Sequence, residues 1–291
     1  MADIPNLVPT QIPILHQRAQ PIHLEGLLPA QNQAVHKNFY TGDTLQLPKP
    51  TSSMRVYFQN VNGINLTSTG NWDVICEHLQ DMEVDIALLA KHKLDTNQPW
   101  VNQKLRDMAR AVFGLGSFSI MAATTPVESP TMYKPGGVLS LINGNVKGRM
   151  LSADKDPLGR WVYTSLRQNT GPLLTIVTTY QVIDVNPCQA GPTTYATQLY
   201  ATYLQEGRQH PENLRSHHAH DLLKFVKQCQ ARGKWIIVTG DLNEVLGTTD
   251  HGLTKLHSEC KLLNACLERH GPTEFTAYQW GTKVINYILV D

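Results

Sequence analysis

The chain has 291 residues, 41% hydrophobic and 17% charged, with 25 Lys and Arg against 24 Asp and Glu. That length suits one large α/β domain or two small ones, and a formal charge of +1 gives no electrostatic support to a nucleic-acid binder while leaving room for a local basic groove. The five cysteines form no Cys-x-x-Cys pair, which argues against a zinc ribbon or disulfide framework. No apolar run approaches the ~20 residues of a membrane span. With no secretory pattern at the start, an intracellular protein of nucleus or cytoplasm is expected.

Residues 1–52 are rich in Pro and Gln. Proline removes donors and restricts its predecessor, so an extended or disordered leader is expected there. The folded domain is expected over 53–291. MRVYFQNVNGI, from Met54, reads as a strand meeting an Asn-Gly turn, with Asn60 at the strand end. A helix over 71–81 follows, then the buried strand VDIALLA (84–90), which stops at Lys91, and a helix over 98–113.

SFSIMAATT, GGVLSLIN, RWVYTSLR and LLTIVTTYQV are four strand-like runs separated by turn residues, which suggests an antiparallel meander. Tyr180 ends the last of them. Helices are expected over 193–206, 211–232 and 255–269. Between the last two lies KWIIVTGDLNE (234–244), a buried strand running into Gly-Asp-Leu-Asn. Side chains two apart on extended backbone point the same way, so Asp241 and Asn243 can address one point, as oxygen coordination of Mg²⁺ or a phosphate requires. An Asx turn is the competing reading. VINYILV (284–290) is a further strand. The tally suits two mixed sheets packed face to face with helices outside.

Taken together and in order, FQNVNGI, VDIALLAKHKLDT, YKPGGVLSLINGN, DPLGRWVY, TIVTTYQV, IIVTGDLNE and GTKVINYILV resemble the endonuclease/exonuclease/phosphatase superfamily, and most closely its retrotransposon-type endonuclease domains. The resemblance covers residues 54–291. It implies a four-layer α/β/β/α sandwich, a Mg²⁺ (or Mn²⁺) cofactor, a nucleic-acid partner (DNA before RNA) and phosphodiester hydrolysis. It places Asn60 and Asp241 as metal ligands, and Asn60, Tyr180 and Asn243 on the phosphate. Asp241, Asn243, Tyr180 and Asn286 fall on catalytic positions, with Asp241 orienting the nucleophile.

Three departures follow from the same alignment. The family's metal-binding Glu falls on Lys91, and an ammonium at ~4 Å from Mg²⁺ costs several kcal/mol even at moderate dielectric. The family's Asp before the late strand falls on Asn286. The terminal Ser-Asp-His lies beyond Asp291, so closing strands are expected to be missing and the last strand to be a bare edge. Metal binding is therefore expected to be weak or absent, and the hydrolase impaired. The alternative is a non-catalytic remnant or binding module that keeps the fold. His92 and Asp95 are set aside as stand-ins for the Glu, since ligands beyond the strand end point elsewhere. His217, His218 and His220 invite a zinc site but read better as a solvated helix face. Lys147, Arg149 and Arg160 are candidates for a phosphate-tracking groove.

Overall fold

A computed structural model describes residues 48–126, 134–183, 194–207, 213–248, 252–271 and 284–291. The leader over 1–52 lies outside these residues except for its last five. Among those five, the Lys49 ammonium bonds the Asp85 carboxylate at 2.6 and 2.7 Å. Among the described residues no helix is long and apolar enough to cross a membrane.

The described elements are β1 (Val56–Asn60), α1 (Trp72–Asp81), β2 (Ile86–Ala90), α2 (Pro99–Phe113), β3 (Phe118–Ala123), β4 (Val138–Asn143), α3 (Gly144–Lys147), β5 (Met150–Lys155), β6 (Trp161–Leu166), β7 (Leu174–Tyr180), α4 (Thr194–Glu206), α5 (Leu214–Ala231), β8 (Trp235–Asp241), α6 (Leu253–Glu259), β9 (Leu263–Asn264), α7 (Ala265–His270) and β10 (Asn286–Val290). They form two mixed sheets, with strand orders β1-β2-β4-β3 and β5-β6-β7-β8-β10-β9.

Alternation along β2 shows how the layers arise. Ala87 and Leu89 pack with Trp72, Leu79, Val101 and Leu105 of α1 and α2. Ile86 and Leu88, one residue out of phase, pack with Leu166, Leu174 and Ile176 of the second sheet. A strand covered on both faces needs no polar side, and all five residues of β2 are buried. The second sheet repeats the scheme. Val177, Val238 and Leu289 meet Leu222 and Val226 of α5 and Leu253 and Leu256 of α6. The order is therefore helix, sheet, sheet, helix, as expected.

Three expectations change. The meander is split: β3 and β4 pair antiparallel within the first sheet, and β6 and β7 within the second. β5 falls where no strand was expected, between GGVLSLIN and RWVYTSLR. It is a largely exposed strand, MLSADK, whose Leu151 faces solvent, so hydrophobic pattern could not reveal it. The single helix over 255–269 is broken, because Lys261 adopts φ +54° and Asn264 caps a new helix at Leu267 N. The two-residue β9 formed at the break pairs with Leu289 and Val290, so part of the edge expected to be bare on β10 is covered.

Candidate active site

β7, β8 and β10 bring three of the expected residues into one row. Tyr180 lies opposite Asp241 in the parallel register of β7 and β8, and Asn286 lies opposite Asp241 in the antiparallel register of β10 and β8. Residues opposite one another in a sheet present their side chains on the same face. That face looks toward the first sheet, where Tyr180 packs with Ala90 and Val138. From the first sheet come Asn60, the last residue of β1, and Lys91, the residue after β2.

The groups converge on one carboxylate. Asn60 Nδ2 donates to Asp241 Oδ2 at 2.8 Å. Lys91 Nζ stands 3.8 Å from the same oxygen and 5.3 Å from the centre of the Tyr180 ring. Asp241 is 1% exposed. Burial raises its pKa, while the Lys91 ammonium, the Asn243 backbone N–H and the Asn60 amide hold it down. Burial and the Asp241 charge raise the Tyr180 pKa, so the phenol keeps its proton at neutral pH.

Lys91 reaches this position because the backbone turns sharply after β2. It adopts φ +58° and Lys93 φ +59°, a conformation that costs a non-glycine residue roughly 1–2 kcal/mol. The backbone N–H of Lys91 bonds Gly137 O at 2.7 Å and that of Lys93 bonds Gly136 O at 2.8 Å. Gly137 has φ +87°, and a Cβ there would lie 2.4 Å from His92 Cε1. The Lys-Pro-Gly-Gly segment noted in the sequence thus clamps the turn that aims Lys91. That role could not be read from spacing.

Asn243 departs from expectation. β8 ends at Asp241, and Asn243 adopts φ +48°, so the two do not share strand alternation. The Asn243 amide donates to Gln181 O at 2.6 Å. The Asp241 carboxylate accepts from the Asn243 backbone N–H two residues on, as in an Asx turn, and Asn243 neighbours the Tyr180 hydroxyl. His92 and Asp95 are occupied elsewhere. The His92 ring is fully buried; its Nδ1 accepts from Leu94 N at 3.0 Å and its Nε2 lies 3.1 Å from Ala123 O. Asp95 pairs with buried Lys134 at 2.9 Å.

The histidine cluster is not a solvated face. His218 is buried, with Nε2 2.8 Å from Thr179 Oγ1 and its ring edge-on to Trp161. His217 Nδ1 lies 3.0 Å from Arg160 Nη1, and only His220 is exposed. The basic groove does not form either. Arg160 is buried against Asp156 and Asp221 at 2.8 and 2.7 Å. Lys147 and Arg149 follow β4, which runs antiparallel to β2, so they sit at the opposite end of the sheet from Lys91.

A divalent ion such as Mg²⁺ asks for several oxygen ligands. Here Asn60 offers its amide nitrogen to Asp241 and spends its oxygen on the Asn62 N–H at 3.1 Å. The oxygens left over are Asp241 Oδ1 and Asn286 Oδ1, buried and without a hydrogen-bond partner among the described residues. No group of three or more His, Cys, Asp or Glu side chains able to hold a metal occurs among the described residues. One carboxylate beside an ammonium does not fit a divalent cation.

No protein-family model and no curated protein matches the chain. Solved structures do. The Xenopus laevis APE2 catalytic domain is 16% identical, with a TM-score of 0.53 and 82% of each chain covered. The AP endonuclease LMAP from Leishmania major is 14% identical, with a TM-score of 0.51, covering 91% of this chain and 90% of that one. The chain shares the DNase I-like α/β sandwich of endonuclease/exonuclease/phosphatase proteins.

Proposed function

We propose that the chain is an intracellular nucleic-acid-handling protein of the phosphodiesterase type, directed to DNA before RNA, in which Mg²⁺-dependent hydrolysis is impaired. The fold and the row Tyr180–Asp241–Asn286 support the phosphodiesterase part of this reading. Asp241 is the group in the row suited to accept a proton from a nucleophilic water. Tyr180, kept as a phenol, suits donation to a phosphate oxygen. Asn60 holds Asp241 in place from the facing sheet. Asn286 lies beside it as a neutral amide, with the shape but not the charge that would orient a histidine.

The observation that carries the impairment is the contact between Lys91 Nζ and Asp241 Oδ2 at 3.8 Å. A carboxylate that answers to an ammonium is a weaker base, and the ammonium repels a divalent cation. The test is incubation of the purified protein with supercoiled plasmid and with an abasic duplex in Mg²⁺. Negligible nicking is expected; robust nicking that a chelator abolishes would overturn the impairment. The reading as a binding module gains from the same contact, since a fixed cation at a strand-end mouth suits an anion.

A further inference from the structure

We infer that Lys91 is a built-in cation that replaces the metal, so that this mouth takes up phosphodiester phosphate without any divalent ion, with Lys93 receiving the neighbouring phosphate. The inference rests on the phosphodiester reading above and says which group does the binding.

Four observations carry it. First, Lys91 Nζ is placed but not consumed. At 3.8 Å from Asp241 Oδ2 it forms an ion pair too long for a hydrogen bond, and its three N–H donors meet no hydrogen-bond acceptor among the described residues. Its side chain is 22% exposed, so it can reach solvent from a mouth whose carboxylate is sealed. Second, it is pre-aimed. Its left-handed backbone is held by the Gly137 carbonyl, and its ammonium lies above the Tyr180 ring, so little ordering remains to be done on binding.

Third, Lys93 repeats the device one step along the chain. It has the same left-handed backbone, is held by the Gly136 carbonyl, and its ammonium has no ion-pair partner among the described residues. It lines a surface cleft of about 330 Å³ with Gly63, Ile64 and Asn65, where the loop after β1 runs beside the loop after β2. Fourth, among the described residues each carboxylate near the mouth has a cation beside it: Asp95 has Lys134, Glu244 has Arg215, and Asp241 has Lys91 at the longer 3.8 Å. Among the described residues Lys93 is left without an ion-pair partner. The buried oxygens Asp241 Oδ1 and Asn286 Oδ1 would repel a phosphate oxygen and suit a hydroxyl donor instead. The anion therefore sits on the lysine side.

The experiment is fluorescence anisotropy of a labelled DNA duplex, in EDTA and in Mg²⁺, across a salt series, with inorganic phosphate as a second probe by calorimetry. Wild type is expected to bind DNA equally well in EDTA and in Mg²⁺. Lys91→Met should weaken DNA by roughly tenfold and flatten the plot of log affinity against log salt by about 0.9, the slope of one phosphate contact. Lys91→Arg should restore both. Lys93→Met should flatten the slope similarly while leaving inorganic phosphate, which needs Lys91 alone, unchanged. A lysine with a merely structural role lowers affinity without changing the slope, so an unchanged slope in Lys91→Met overturns the inference. Binding that requires Mg²⁺ overturns it while sparing the phosphodiester reading. Wild type that binds no DNA under any condition overturns both.

Discussion

Replacing Lys91 with Met tests how tightly the site is wired electrostatically. Met fills much of the same volume without the charge. At 3.8 Å and an effective dielectric of about 20, the ion pair with Asp241 is worth about 4 kcal/mol before losses. The Lys91 side chain reaches solvent and gives up rotamer freedom, which cuts this to about 2 kcal/mol. Losing the ammonium removes the largest influence holding the Asp241 pKa down, so in the variant that pKa rises further. A carboxyl whose folded pKa is raised destabilises the fold where it is charged, and the penalty fades as pH falls through that pKa. Urea unfolding should therefore show the variant about 2 kcal/mol less stable at mildly alkaline pH, with the gap closing in acid. Asp241→Asn, which keeps the shape, should remove most of the gap in the double variant. An equal deficit at every pH, or no coupling in the double variant, would refute the pairing.

Gly137→Ala would press a Cβ to 2.4 Å from the His92 ring in a backbone of φ +87°. It should cost at least about 2 kcal/mol in chemical unfolding and weaken DNA binding, because it disturbs the carbonyl that holds Lys91. Lys134→Met should cost about 3 kcal/mol, since it leaves the fully buried Asp95 short of its cation; a melting temperature equal to wild type would contradict this. Acid should destabilise the chain through His92, whose burial lowers its pKa from 6.5 to about 4. The unfolded histidine takes a proton that the folded one refuses, so stability is full at neutral pH and is lost as pH falls toward about 4, by up to about 3 kcal/mol. His92→Gln should flatten that slope by one proton, and an unaltered slope would show that other groups cause it.

The sheets and their order of packing were legible because buried strands leave unbroken apolar runs, as IALLA of β2 does. Asn60, Tyr180, Asp241 and Asn286 were legible because each sits at a strand end, and strand ends are set by register. Three kinds of feature were not legible. Polar edge strands such as β5 carry no hydrophobic pattern. Left-handed residues such as Lys91, Lys93 and Asn243 defeat alternation, so the Asn243 amide bonds Gln181 O instead of sharing the Asp241 face by alternation, while Lys91 turns toward Asp241. Burial of polar groups depends on partners far along the chain. His218 meets Thr179 and Trp161, and Arg160, in the turn before β6, meets Asp221 of α5; local spacing cannot forecast either. That a lysine follows β2 was visible in the sequence. Its contact with Asp241, and the clamp that makes it, required the fold.

The most direct test of the central claim is a calorimetric titration of Mg²⁺ into wild type and into Lys91→Glu. The claim that Lys91 occupies the place of the metal predicts no measurable binding in wild type and clear binding in the variant, where Asp241 and the new carboxylate together offer hard oxygen ligands. Equal affinity in the two proteins would contradict it.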